Sequence, residues 1–151
     1  MTTVTPFLWF DTDIAEPLAY YRSVFPEMKV LDESPGDTGT MLATIELFGQ
    51  RLMLLNGGPI YAGFHESFSL HVAVETQAEI DDLWTRLTTN GGEEGRCGWL
   101  KDRYGLSWQV VPANLGGLIG GPDPRRAKQA FDAMLGMGRL HIDELQAAYD
   151  R

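Results

Sequence analysis

Cysteine is nearly missing from this chain: one thiol, Cys97, in 151 residues. An intrachain disulfide framework is excluded, and a reducing cytosol is the consistent compartment. Positive charge is scarce too. Twelve Lys and Arg stand against 21 Asp and Glu, a formal net charge of −9. No basic stripe is available to displace counterions from nucleic acid or to hold an anionic bilayer surface, so neither is expected as a partner. Long apolar runs are lacking as well. Met1-Thr-Thr-Val-Thr-Pro-Phe7 has no basic region and no sustained apolar core. Neither a signal peptide nor a membrane span is expected, and the location read from this is cytoplasmic. Only three histidines occur, His65, His71 and His141. No His-Glu-x-x-His or paired-cysteine spacing offers a metal motif.

What is present is ordinary globular composition, 44% hydrophobic and 22% charged. The length suits one domain, or one domain built from two similar halves, with a core that needs no staples. The most informative stretch is Cys97-Gly-Trp-Leu-Lys-Asp-Arg-Tyr-Gly-Leu-Ser-Trp-Gln-Val-Val-Pro112, with two of the four tryptophans. Asp102 and Gly105 bracket Arg103-Tyr104, the signature of a tight turn. Strands are predicted on either side, at Trp99-Leu100 and Leu106 to Val111, stopped by Pro112. Alternation puts Ser107, Gln109 and Val111 on one face and Leu106, Trp108 and Val110 on the other. The second face needs cover. The first is either a solvated face or the lining of a partly polar cavity.

The rest of the chain divides by periodicity. Val4 to Phe10 reads as a strand. Asp13 with Glu16 reads as a capping box opening a helix whose stripe is Ile14, Leu18, Tyr21 and Phe25. Strands follow at Met28 to Leu31, Met41 to Phe48 and Arg51 to Leu55, with a loop over Ser34 to Gly39 and a turn at Gly49-Gln50. Ile60 to Glu66 is a loop. A second round begins at Ser67. Phe68, Leu70, Val72 and Val74 alternate with Ser69, His71 and Ala73. Thr76 and Glu79 form a capping box before the stripe Ile80, Leu83, Trp84 and Leu87, and Asn90-Gly91-Gly92 stops it. The order is β-α-β-β-β written twice. The fold class is therefore α+β: paired βαβββ modules, at about 4–60 and 67–112, curled round a shared cleft. They form a domain over 1–115, and 116–151 is a C-terminal helical tail. In that tail Gly116 to Gly121 reads as a flexible link. Asp123-Pro124 starts a helix with the stripe Ala127, Phe131, Met134 and Leu135. Ile142, Leu145 and Tyr149 mark a last helix.

Cys97 to Asp102 and Gly105 to Pro112 resemble the signature of the PhnB-like group in the vicinal oxygen chelate (glyoxalase/bleomycin-resistance) superfamily, a group that carries the label 3-demethylubiquinone-9 3-methyltransferase. Pro6 to Asp11, Tyr21 to Pro26, Asn56 to Pro59, Ala133 to Met137 and Ala147 to Tyr149 add to the likeness. The resemblance implies the glyoxalase/bleomycin-resistance-like fold and a homodimer. It also implies divalent-metal positions at about Pro6, Leu55 or Asn56, Ser69 and Gln109. A neutral amide and a hydroxyl do not offset a metal's charge, so no metal ligand and no cofactor are expected. The expected partner is a small molecule in the cleft, bound by Leu8, Phe10, Asn56, Ser69, His71, Gln109 and Val111. His71 is the one catalytic candidate, since imidazole titrates near neutrality. Cys97 reads as structural, Trp108 as core, and Trp99 stays open. Three functions compete: a metal-free binding or catalytic protein, a sequestering protein of the resistance type, and a metal-dependent lyase, isomerase or dioxygenase. Whether it is an enzyme stays open. Methyl transfer is disfavoured, because no glycine-rich turn opens a parallel βα unit.

Overall fold

The computed structural model describes residues 1–61 and 63–151. The chain forms two compact units, Met1–Gly63 and Phe64–Arg151. The first runs β1 (Phe7–Phe10), α1 (Ala15–Val24), β2 (Lys29–Gly36), β3 (Gly39–Leu47) and β4 (Gln50–Asn56). Its sheet has the order β1-β4-β3-β2. β1 is parallel to β4, and the other pairs are antiparallel. The second unit repeats this with β5 (Ser69–Val74), α2 (Gln77–Thr88), β6 (Glu93–Glu94), β7 (Trp99–Lys101) and β8 (Ser107–Pro112). Its order is β5-β8-β7-β6, again with the outer strand parallel to the last. The fold is α+β with a doubled βαβββ unit, as the element order predicts.

Local chemistry accounts for most boundaries. Thr76 Oγ1 accepts from the Glu79 amide at 3.2 Å, and Glu79 Oε2 accepts from the Thr76 amide at 2.9 Å. This reciprocal cap starts α2, which buries Ile80, Leu83, Trp84 and Leu87. The β3–β4 turn is Phe48-Gly49, both at positive φ (47° and 87°), the conformation a two-residue hairpin loop requires. It lies one residue before the expected Gly49-Gln50.

Two expectations in the first unit are corrected. Asp13 does not cap α1: Ile14 holds that position without a side-chain bond. Asp13 Oδ1 instead accepts from the amides of Ala15 and Thr40, each at 3.0 Å, tying the helix entrance to β3. Gly39 leaves room for this carboxylate, because a Cβ there would lie 2.1 Å from Asp13 Oδ2. The Ser34–Gly39 stretch is not a loop either. β2 continues to Gly36, and Gly36 pairs with Gly39 across a short turn. Pro35 is tolerated at a register shift on an edge strand, where the ladder needs no donor from it.

After β8 come α3 (Leu115–Ile119), α4 (Pro124–Leu135) and α5 (Ile142–Asp150). Gly116 and Gly117 lie inside α3, so the expected flexible link is partly helical. Asp123 Oδ1 accepts from the Arg125 and Arg126 amides at 3.0 and 3.2 Å, with Pro124 in the first turn. The buried stripe of α4 is Ala127, Ala130 and Met134, whereas Phe131 and Leu135 are exposed. The small Ala130 lets α4 approach its neighbours closely, which a stripe built on Phe131 would not.

The tail belongs to the second unit. Leu118, Ala130, Met134, Met137, Leu140 and Leu145 form one apolar cluster with Val111, and Cys97 packs against it. The Cys97 and Gly98 amides donate to the carbonyls of Met137 and Gly138, each at 2.8 Å. Gln77 clasps the same segment from α2: Nε2 donates to the Leu140 carbonyl at 2.9 Å, and Oε1 accepts from the Ile142 amide at 2.8 Å. No helix among the described residues is long and apolar enough to cross a membrane.

Candidate functional site on the second sheet

The register of the second sheet defines two faces. Leu70, Trp108 and Leu100 align across β5, β8 and β7, and Val72 aligns with Val110. Trp108, Leu100 and Val110 are fully buried, and the α2 stripe is buried as well. The opposite face is built in rows. Ser69, Ser107 and Lys101 make the first, and His71, Gln109 and Trp99 make the second. A third pairs Ala73 with Val111. Successive rows lie two residues apart along each strand, about 7 Å.

Within the first two rows the polar groups meet. Gln109 Nε2 donates to Ser69 Oγ at 3.0 Å. His71 is exposed beside Gln109, and among the described residues nothing holds its imidazole. Trp99 is half-buried on the other side of Gln109 and presents an aromatic surface to the same row. At the end of the first row, Lys101 Nζ meets Glu66 Oε1 at 2.5 Å. That hydrogen bond holds the Glu66 carboxyl below the usual carboxylate range and pushes the Lys101 ammonium upward. The face is thus polar at its centre, and its one lysine is paired with Glu66.

Behind the rows stands a carboxylate that alternation alone does not reveal. Asp102 is 1% exposed. Its Oδ1 accepts from the amides of Tyr104 and Leu106 at 2.9 and 3.1 Å, and Oδ2 accepts from the Trp108 indole at 2.9 Å. Gly105, at φ 84°, closes the turn by donating to the Asp102 carbonyl at 2.9 Å. Asp102 therefore fixes the β7–β8 turn and the side chain that alternates with Gln109. The available signal was an Asp six residues before a Trp of the packed face.

Three of the seven expected ligand residues lie in the first unit and four in the second. Ser69, His71 and Gln109 are brought together. Leu8 and Phe10 are each 4% exposed. They align with Leu54 and Asn56, on the face that also buries Leu52, Ala43 and Ile45. Phe7 and Trp9 occupy the other face of β1, where the Trp9 indole donates to the Gly58 carbonyl at 2.9 Å. The four-residue strand is apolar on both faces, so its pattern carries no sidedness. Asn56 is half-buried at the end of β4. Val111 shares the parity of Gln109 but is 3% exposed, sealed under the tail cluster. Leu8, Phe10 and Val111 are thus placed among the buried apolar residues.

Ser69 and Gln109 by themselves do not suit a divalent cation. Ser69 and Gln109 offer a hydroxyl and an amide already engaged with each other, and hard or borderline cations favour carboxylate or imidazole. Among the described residues no group of three or more His, Cys, Asp or Glu side chains is placed to hold a metal.

A βαβββ unit used twice, each with its outer strand parallel to its last, is the glyoxalase/bleomycin-resistance-like fold. Solved structures agree. A PhnB protein from Bacillus cereus is 28% identical with a TM-score of 0.64, over 73% of this chain and 99% of that one. Protein PA1353 from Pseudomonas aeruginosa is 21% identical with a TM-score of 0.59, over 74% and 98%. A mutant of the fosfomycin resistance protein FosX from Listeria monocytogenes, complexed with Mn(II) and 1S,2S-dihydroxypropylphosphonic acid, is 14% identical with a TM-score of 0.54, over 75% and 93%. The chain belongs to the PhnB-like family described as 3-demethylubiquinone-9 3-methyltransferase, whose model matches residues 2–111. No curated protein matches the sequence.

Proposed function

We propose that this chain binds a small organic molecule on the second-sheet face formed by Ser69, His71, Gln109 and Trp99, and that it does so without a divalent metal. The observation that carries the reading is the 3.0 Å hydrogen bond from Gln109 to Ser69. By resemblance these are the two positions of this unit at which superfamily enzymes hold their ion. Here they form a neutral donor–acceptor pair that orients both side chains toward a polar ligand group. A small number of placed polar groups beside an aromatic wall is the usual composition of such a site.

Binding is favoured over acid–base catalysis because of His71. A general base is normally oriented by a second group, and among the described residues none orients this imidazole. His71 acts as an adaptable hydrogen-bond partner for the ligand. The methyltransferase activity in the family description is not carried over. Neither mixed four-stranded sheet is a doubly wound parallel sheet with a glycine-rich strand-to-helix turn for S-adenosylmethionine.

Paramagnetic broadening tests the metal-free part. Mn(II) is titrated into untagged, ¹⁵N-labelled protein. The expected result is no selective loss of the Gln109 side-chain amide or of the Ser69 and His71 backbone resonances. Saturable broadening of all three at one equivalent would contradict the reading.

A further inference from the structure

The ligand face has three rows by register; in the first two, Ser69, Gln109 and Trp99 are half-buried and His71 is exposed, while Ser107 at the centre of the first is buried. Val111, one row beyond Gln109, is sealed by Leu118, Met134, Met137 and their neighbours. Ala73, its partner on the edge strand, stays exposed. The seal is anchored through backbone as well as side chains. The Cys97 and Gly98 amides bond Met137 and Gly138, and Gln77 holds Leu140 and Ile142. Gly98 permits this close docking, since a Cβ there would lie 3.1 Å from Leu140 Cδ1 and 2.9 Å from the Val110 carbonyl oxygen. The family match ends at Val111, the residue the tail covers. The Bacillus cereus protein is matched over 99% of its own length by 73% of this chain.

We infer that residues 113–151 set the ligand's length: the tail is a fixed wall across the third row, so the face accepts a compact, uncharged molecule with one polar end and rejects one extended past Gln109. The inference rests on the ligand site proposed above and adds its dimension and charge. The stretch from the first row to the second is about 7 Å, the span of one six-membered ring with a carbonyl or hydroxyl. The polar end pairs with Ser69 and Gln109, and the ring lies against Trp99. Because Lys101 is engaged by Glu66, the face offers no unpaired lysine to an anion. Met134 and Met137 are the two most exposed members of the cluster that covers Val111, each at 8%.

The test uses benzamide, 4-ethylbenzamide and 4-butylbenzamide with the full chain, reading the Gln109 side-chain amide and the Trp99 indole by NMR. An unobstructed apolar surface would tighten binding by about fourfold per added methylene. The wall instead predicts saturable shifts with benzamide and binding at least about tenfold weaker with 4-butylbenzamide. Met137→Ala opens the wall and restores the butyl compound to within about threefold of benzamide. The wild-type series stands by itself if that variant does not fold. Affinity rising steadily with chain length in the wild-type protein overturns the wall while leaving the site intact. A folded Met137→Ala that keeps the cut-off overturns its assignment to the tail. No shift with any compound overturns the site reading and this inference together.

Discussion

Asp102→Ala unfolds much of the second unit's stability. The substitution leaves two backbone amides and an indole N–H without their acceptor in a residue that is 1% exposed. Each buried donor left unsatisfied costs about 1–3 kcal/mol. Losses in one network are not additive, so the expected total is about 3–5 kcal/mol, a large share of a typical domain's stability of about 5–15 kcal/mol. Asp102→Asn separates the contributions. Its amide oxygen keeps the Tyr104 and Leu106 amides, while its NH₂ group faces the Trp108 indole donor. The expected loss is about 1–3 kcal/mol. Urea denaturation followed by tryptophan fluorescence measures both variants. Asp102→Ala within about 0.5 kcal/mol of wild type would show that this carboxylate does not hold the hairpin.

Leu140→Ala is the second large effect. Leu140 is fully buried in the tail cluster, and truncating such a leucine costs about 2–5 kcal/mol through lost transfer energy and a residual cavity. Its location makes the consequence specific. The Leu140 carbonyl takes the Gln77 bond, and the segment just before it bonds Cys97 and Gly98. Hydrogen exchange at the Cys97 and Gly98 amides is expected to accelerate with the stability loss, because local opening of the tail exposes them. The Tyr104 and Leu106 amides, held by Asp102, keep more of their protection. Unchanged exchange at Cys97 and Gly98 in a destabilised variant would show that the tail does not shield that edge.

What the sequence made legible was local or periodic. The Thr76–Glu79 cap, the Asp102–Gly105 turn and the Asp123-Pro124 helix start each involve residues within a few positions of one another. Ser69, His71 and Gln109 came together because alternation within β5 and β8 fixes their side, and the doubled βαβββ order puts these strands next to each other. What was hidden depended on partners distant in the chain. Asp13 looked like a cap because Thr40, the amide it shares with Ala15, lies 27 residues away. Val111 carried the parity of the Ser69 and Gln109 face in the pattern, but its burial follows from a tail anchored through main-chain groups of Cys97 and Gly98, which leave no side-chain signature. Phe131 and Leu135 fit a helical period as well as Ala130 does. The choice between overlapping stripes was made by close helix packing, where alanine fits and phenylalanine does not. Phe7 to Phe10 was ambiguous for a simpler reason, since four consecutive apolar residues give alternation nothing to distinguish.

We propose that the Ser69–Gln109 pair, with His71 and Trp99, holds an organic ligand directly. An NMR screen of small uncharged fragments against the full chain, with and without Mn(II), tests it. The account predicts fragments that shift the Gln109 side-chain amide and the Trp99 indole together, equally in both conditions, with the response lost in Gln109→Ala. Fragments that bind only after Mn(II) is added, or that gather on another surface and leave both resonances still, would contradict it.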